Sequence, residues 1–107
     1  MTTDEFLCLT LVASPGESEA AFKSRLVAFW THMIRNRLAD YEKVYSEATE
    51  FETEDGKVAR RYMVEPAVVP ALAAELAGQG IDHLPVDPDD LYSKAEASSS
   101  DWFQIEH

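Results

Sequence analysis

One cysteine, Cys8, stands in a chain of 107 residues, which excludes an internal disulfide, a CxxC redox pair and a zinc cluster built on several thiolates. A reducing compartment, the cytoplasm, is the expectation that follows. Basic residues are also scarce. Nine lysines and arginines face twenty acidic side chains, for a net charge of -11. Such a chain repels phosphate backbones and anionic lipid headgroups, so direct nucleic-acid binding and membrane-surface binding are disfavoured. No apolar run approaches the roughly 18 residues of a membrane span, and the opening MTTDEF has acids where a secretory signal needs basic residues. There is no GxSxG elbow, no phosphate-binding loop and no GxGxxG turn. Nothing in the sequence therefore supports enzymatic activity, and no cofactor is expected.

Apolar material is plentiful: 46% of the residues are hydrophobic, and a chain of this length has the size of one domain with one core. The segment Phe6–Val12 is apolar on both alternating sets, Leu7, Leu9 and Leu11 on one side and Phe6, Cys8, Thr10 and Val12 on the other, as a central strand requires. It stops at Ser14-Pro15-Gly16-Glu17. There Ser14 is expected as the N-cap of a helix, Pro15 as its first residue and Glu17 as the partner in a capping box. Phe22, Leu26, Phe29, Trp30, Met33, Ile34 and Leu38 then recur at intervals of three and four, making one apolar helical stripe.

Two alternating segments flank Asp55-Gly56, a dipeptide favoured in type I′ hairpin turns. With those two residues as the turn, Glu54 faces Lys57, Glu50 faces Arg61 and Phe51 faces Arg60. Val68, Val69, Leu72 and Leu76 mark a second helix that Pro70 either begins or bends and that Gly78 or Gly80 stops. IDHLPV is a short strand whose Pro85 restricts it to a sheet edge.

The expected order is therefore βαββαβ. With right-handed crossovers this predicts an α+β ferredoxin-like sandwich, a four-stranded antiparallel sheet with two helices on one face. The alternative is an α+β domain with the same hairpin but no fourth strand. Residues 1–86 form the single domain in this reading, and residues 87–107 an acidic and polar tail ending in a Trp-Phe tip.

The turn ASPGES resembles, in Pro15 and Gly16, the strand-to-helix turn of ACT domains, ferredoxin-like modules that bind amino acids. The acid those turns carry two positions before the proline is missing here, and the helix after Glu17 is longer. The resemblance implies the turn alone, and their ligand function is not carried over.

Asp87, Asp89 and Asp90, with His83 nearby, have hard donor atoms but lack the spacing of a calcium loop, so a turn with solvated acids is expected and no metal site. His32 has no identifiable partner, and Cys8 reads as a small apolar group in mid-strand. The sheet face away from the helices is too apolar to be left wet. A second copy of the chain, giving a homodimer, the tail residues Trp102, Phe103 and Ile105, or another protein should cover it. The tail also alternates enough to add a strand.

Three functions follow as expectations. The first is a small acidic, non-enzymatic binding protein of the inhibitor, immunity or adaptor type, engaging a protein partner with a basic surface through Glu47, Glu50, Glu52, Glu54, Asp55, Asp87, Asp89, Asp90, Trp102 and Phe103. The second is a dimer with a small-molecule cavity between facing sheets, enzyme or sensor. The third is a structural subunit docking through its C-terminal tail.

Overall fold

A computed structural model describes residues 5–36, 44–47 and 50–93, together with the backbone of 102–104. The first strand, β1 (Glu5–Val12), runs into Ser14-Pro15-Gly16-Glu17, which is a turn and not a helix start. The Glu17 amide donates to the Ser14 carbonyl at 3.0 Å and Gly16 has φ of 77°. Proline followed by a glycine at positive φ makes a type II turn. Helix α1 (Glu19–Arg35) begins later, with Ser18 as the N-cap accepting from the Ala21 amide. The capping box expected at Ser14 is thus replaced. Glu17 still accepts from the Ser14 amide at 2.9 Å, but it closes the turn instead of opening a helix.

The helical stripe forms as expected. Phe22, Leu26, Phe29, Trp30 and Met33 are buried and Ile34 packs at the margin of the core, while Leu38 lies outside the described residues. Each full burial contributes about 1.5–3 kcal/mol. Trp30 lies against Tyr62 with ring centroids 4.9 Å apart, locking α1 to the sheet.

Strands β2 (Val44–Glu47), β3 (Phe51–Glu52) and β4 (Val58–Val64) make the hairpin, with a different turn from the one expected. The Thr53 amide donates to the Lys57 carbonyl and the Gly56 amide to the Thr53 carbonyl, both at 2.9 Å, with Gly56 at φ 79°. The loop is therefore three residues, Glu54 to Gly56, closed by a glycine bulge. A type I′ turn needs positive φ at both central residues, and this loop imposes it on glycine alone.

The register shifts accordingly, to Phe51 opposite Ala59 and Glu52 opposite Val58. Further along, Ser46 stands opposite Tyr62. Five residue steps on one strand thus face three on the other, which separates β2 from β3.

A 3₁₀ turn at Pro66–Val68 leads into α2 (Val69–Gln79). Pro70 sits in its first turn, where the missing amide costs nothing. Gly80, in the left-handed region, ends it. Leu72 and Leu76 are buried, and Val68 and Val69 pack at the core margin. The expected edge strand Ile81–Val86 is cut short: β5 holds only Asp82–His83, because Pro85 has no amide to donate. Residues 87–107 then supply two further strands, β6 (Leu91–Ser93) and β7 (Trp102–Gln104).

The sheet order is β5-β1-β4-β2-β7, with β6 beside β1 and β3 beside β4, every pair antiparallel. The protein is a small α+β fold with two helices on a multi-stranded antiparallel sheet. The four-stranded sheet expected from the sequence is corrected to seven short strands among the described residues. Both outer edges gain a piece from beyond Asp87.

Leu9 and Leu11 face the helices with Phe22, Phe29, Met33, Leu72 and Leu76 in the main core. Phe6, Tyr45 and Met63 form a second buried cluster, with Cys8 and Tyr92 at its margin. The opposite face is therefore not left wet at these positions: Phe6, Tyr45 and Met63 are 3–4% exposed in the single chain.

Phe29, fully buried between α1 and the sheet, tests the core. Phe29→Ala should lower stability by about 3–5 kcal/mol, read from urea midpoints at an unchanged slope. A cost below about 1 kcal/mol would contradict the packing described.

Candidate functional site

The ten residues expected to bind a partner are sorted by their neighbours into very different states. Glu47 is taken up by Arg61, whose Nε and guanidinium nitrogen donate to its two carboxylate oxygens at 2.8 and 2.5 Å. That hydrogen bonding also raises the Arg61 pKa. Glu50 pairs with Arg60 at 2.9 Å, both side chains only 12–13% exposed, and Lys23 of α1 stands at 4.0 Å. These contacts replace the expected Glu50–Arg61 and Phe51–Arg60 pairs. The Arg61 guanidinium instead lies 5.2 Å from the centre of the Phe51 ring.

The hairpin end keeps its acids in water. Glu52, Glu54 and Asp55 are exposed. Asp55 accepts from the Thr53 hydroxyl, which holds its carboxyl below the usual range, and Lys57 lies 3.6 Å away. Among the described residues, the carboxylates of Glu52 and Glu54 have no ion-pair partner.

Asp87, Asp89 and Asp90 form an exposed turn in which Asp87 accepts from the Asp89 amide at 2.9 Å, as an aspartate-led turn does. Asp90 accepts from the Tyr92 hydroxyl at 3.1 Å, raising the tyrosine pKa. No group of three metal-ligating side chains occurs among the described residues. Trp102 and Phe103 are described as backbone only, opposite Glu47 and Ser46 on β2.

The hairpin acids border a hollow. Phe51, Glu52, Thr53, Glu54, Asp55 and Leu84 line a concavity of about 540 Å³. Across this end of the sheet the register runs Phe51, Ala59, Val12, Asp82, and the Leu84 amide donates to the Thr10 carbonyl at 3.0 Å. Phe51 and Leu84 thus stand on opposite sides of the low Ala59 and Val12. Leu84 is 44% exposed, so this trough has apolar walls and an acidic lip. Glu52, Glu54 and Asp55 were legible as charges, but Phe51 and Leu84 were not legible as walls. The only local signal is that Phe51 is the lone apolar residue within EFETED.

Two further contacts escaped the sequence. Arg25 of α1 donates to Glu17 at 2.7 Å and to the Ser14 hydroxyl and the Gly80 carbonyl, each at 3.3 Å. One guanidinium thereby ties the first turn to the end of α2. His32, expected to lack a partner, lies 3.3 Å from Glu75 of α2. Cys8 is half-buried, and burial raises its pKa despite the opposing field of Arg61. A thiol kept protonated is a poor nucleophile.

Comparison with protein-family models, with curated proteins and with solved structures finds no match, so the chemistry of the trough rests on its own residues. No helix among the described residues is long and apolar enough to cross a membrane.

Two outcomes check this sorting of groups. Glu50→Gln should destabilise the fold by about 1–3 kcal/mol, since it leaves the sheltered Arg60 charge without its partner, whereas Glu54→Gln should stay within about 0.5 kcal/mol; chemical denaturation measures both. For Cys8, the rate of reaction with a disulfide reagent should rise only at higher pH in the native protein than in the denatured chain, because the folded thiol has the higher pKa. Equal pH profiles would contradict the burial of the thiol.

Proposed function

We propose that this chain is a small acidic, non-enzymatic protein-binding domain of the inhibitor, immunity or adaptor type that engages a basic protein surface, with the hairpin end as its contact. The observation that carries the reading is the pair of exposed carboxylates of Glu52 and Glu54, without an ion-pair partner among the described residues, beside a trough with apolar walls. Acids already held by arginines have little left to offer a partner, and those at the hairpin end are available. A net charge of -11 adds long-range steering toward a cationic surface. The exposed Asp87, Asp89 and Asp90 contribute to that field. The cytoplasm is the proposed compartment, on the strength of the lone cysteine.

We read the architecture as a ferredoxin-like sandwich extended at both edges. The support is the order in which β1 and β4 are central, β2 with β3 lies on one side and β5 with β6 on the other. Burial of Phe6, Tyr45 and Met63 within one chain removes the main motive for a face-to-face dimer around a ligand, so the small-molecule reading is not favoured.

The test is titration of the full chain with a lysine-rich peptide, followed calorimetrically from about 0.05 to about 0.5 M salt. Binding should weaken steeply with salt, and Glu52→Gln/Glu54→Gln should weaken it more than Asp87→Asn/Asp89→Asn does. Absence of binding at low salt, or binding indifferent to salt, would overturn the reading.

A further inference from the structure

The walls of the trough, more than its acids, say what enters it. Phe51 is only partly exposed, and one side of its ring environment already holds the Arg61 guanidinium at 5.2 Å. Across the hollow stands Leu84, 44% exposed, an apolar surface that no described residue of the hairpin covers. The volume of about 540 Å³ exceeds what one side chain fills, so backbone beside it is accommodated too. A purely apolar occupant would leave the Glu52 and Glu54 carboxylates facing hydrocarbon, which costs desolvation without return. A purely ionic occupant would leave Leu84 and Phe51 wet. The occupant that satisfies both is a side chain with an apolar stem and a cationic head.

We infer that the trough is a receptor for an arginine side chain presented on an exposed segment of a basic protein partner. This rests on the acidic-binding reading above and narrows it. The methylene stem lies along Leu84, and the flat, weakly hydrated guanidinium stacks toward Phe51. Its five forked N–H donors reach carboxylates on neighbouring residues at once, which the compact and strongly hydrated lysine ammonium does less well. Arg61 does not fill this role, because it is held by two hydrogen bonds to Glu47.

The experiment uses the full-length, isotope-labelled chain and three peptides of equal length built from arginine, lysine or the neutral arginine analogue citrulline, with amide shifts and affinity read together. The arginine peptide should perturb amides from Phe51 to Asp55 and at Leu84 and should bind at least about threefold tighter than the lysine peptide. The citrulline peptide should not bind.

Leu84→Ser, at an exposed position, and Phe51→Leu, which keeps apolar bulk without the ring, should each erase the preference for arginine while leaving lysine affinity nearly unchanged. Equal affinity for arginine and lysine, or perturbations centred on Asp87–Asp90, would overturn the arginine receptor while leaving the acidic-binding reading standing. Binding by neither cationic peptide would overturn both.

Discussion

The pairing of β1 with β4 is the constraint on which the other elements depend. Six consecutive residues of β1, Leu7 to Val12, are matched antiparallel to Val64 through Ala59, and side chains on both strands alternate between two buried environments. Leu9 and Leu11 enter the core under the helices with Tyr62 and Val64, while Phe6 and Met63 enter the second cluster. A slip of one residue would exchange the two sets and bring Cys8, Thr10 and Arg61 under the helices. Because that exchange is costly, the ladder sets where α1 lands, where the hairpin points and which edge of β1 is left for β5 and β6.

Charge is distributed on top of this frame according to what each position can reach. Arg60 and Arg61 are neighbours in sequence but project to opposite faces, so they collect different acids: Arg60 holds Glu50 on the helix side, and Arg61 holds Glu47 on the other. The bulge between β2 and β3 makes this division, since it brings Glu47 level with Arg61. Past the bulge, at the hairpin end, Lys57 just before β4 stands near Asp55, and Glu52 and Glu54 have no ion-pair partner among the described residues. The available negative surface is thus the remainder after internal pairing. Its position beside Phe51 and Leu84 follows from the same register.

Much of the fold was legible because its signals are local. A stripe at intervals of three and four can bury only as a helix, and Phe22 through Met33 did so. A run apolar on both faces has to be central, and β1 is. The failures were competitions between nearly equal local solutions. Ser14 and Ser18 both offer a cap, and the helix takes Ser18 because Gly16 at positive φ and the Arg25 contacts hold the Ser14 segment as a turn. Asp55-Gly56 serves a two-residue or a three-residue loop, and the cost of positive φ at a non-glycine residue favours the latter. Leu91–Ser93 has no strand signature of its own beyond a length of three. It pairs because the lower half of β1 has an edge left open once proline ends β5.

What the sequence determined by itself is therefore what depends on period, capping and turn chemistry: an α+β chain with two amphipathic helices, a hairpin near Gly56 and a strongly acidic composition. What the tertiary structure decided is every pairing that spans distant residues. Arg25 with Gly80, His32 with Glu75 and Phe51 with Leu84 across the trough lie many residues apart, and no spacing rule relates them. Their meeting is set by strand order and register, which sum many weak contacts along the chain and which no short stretch encodes.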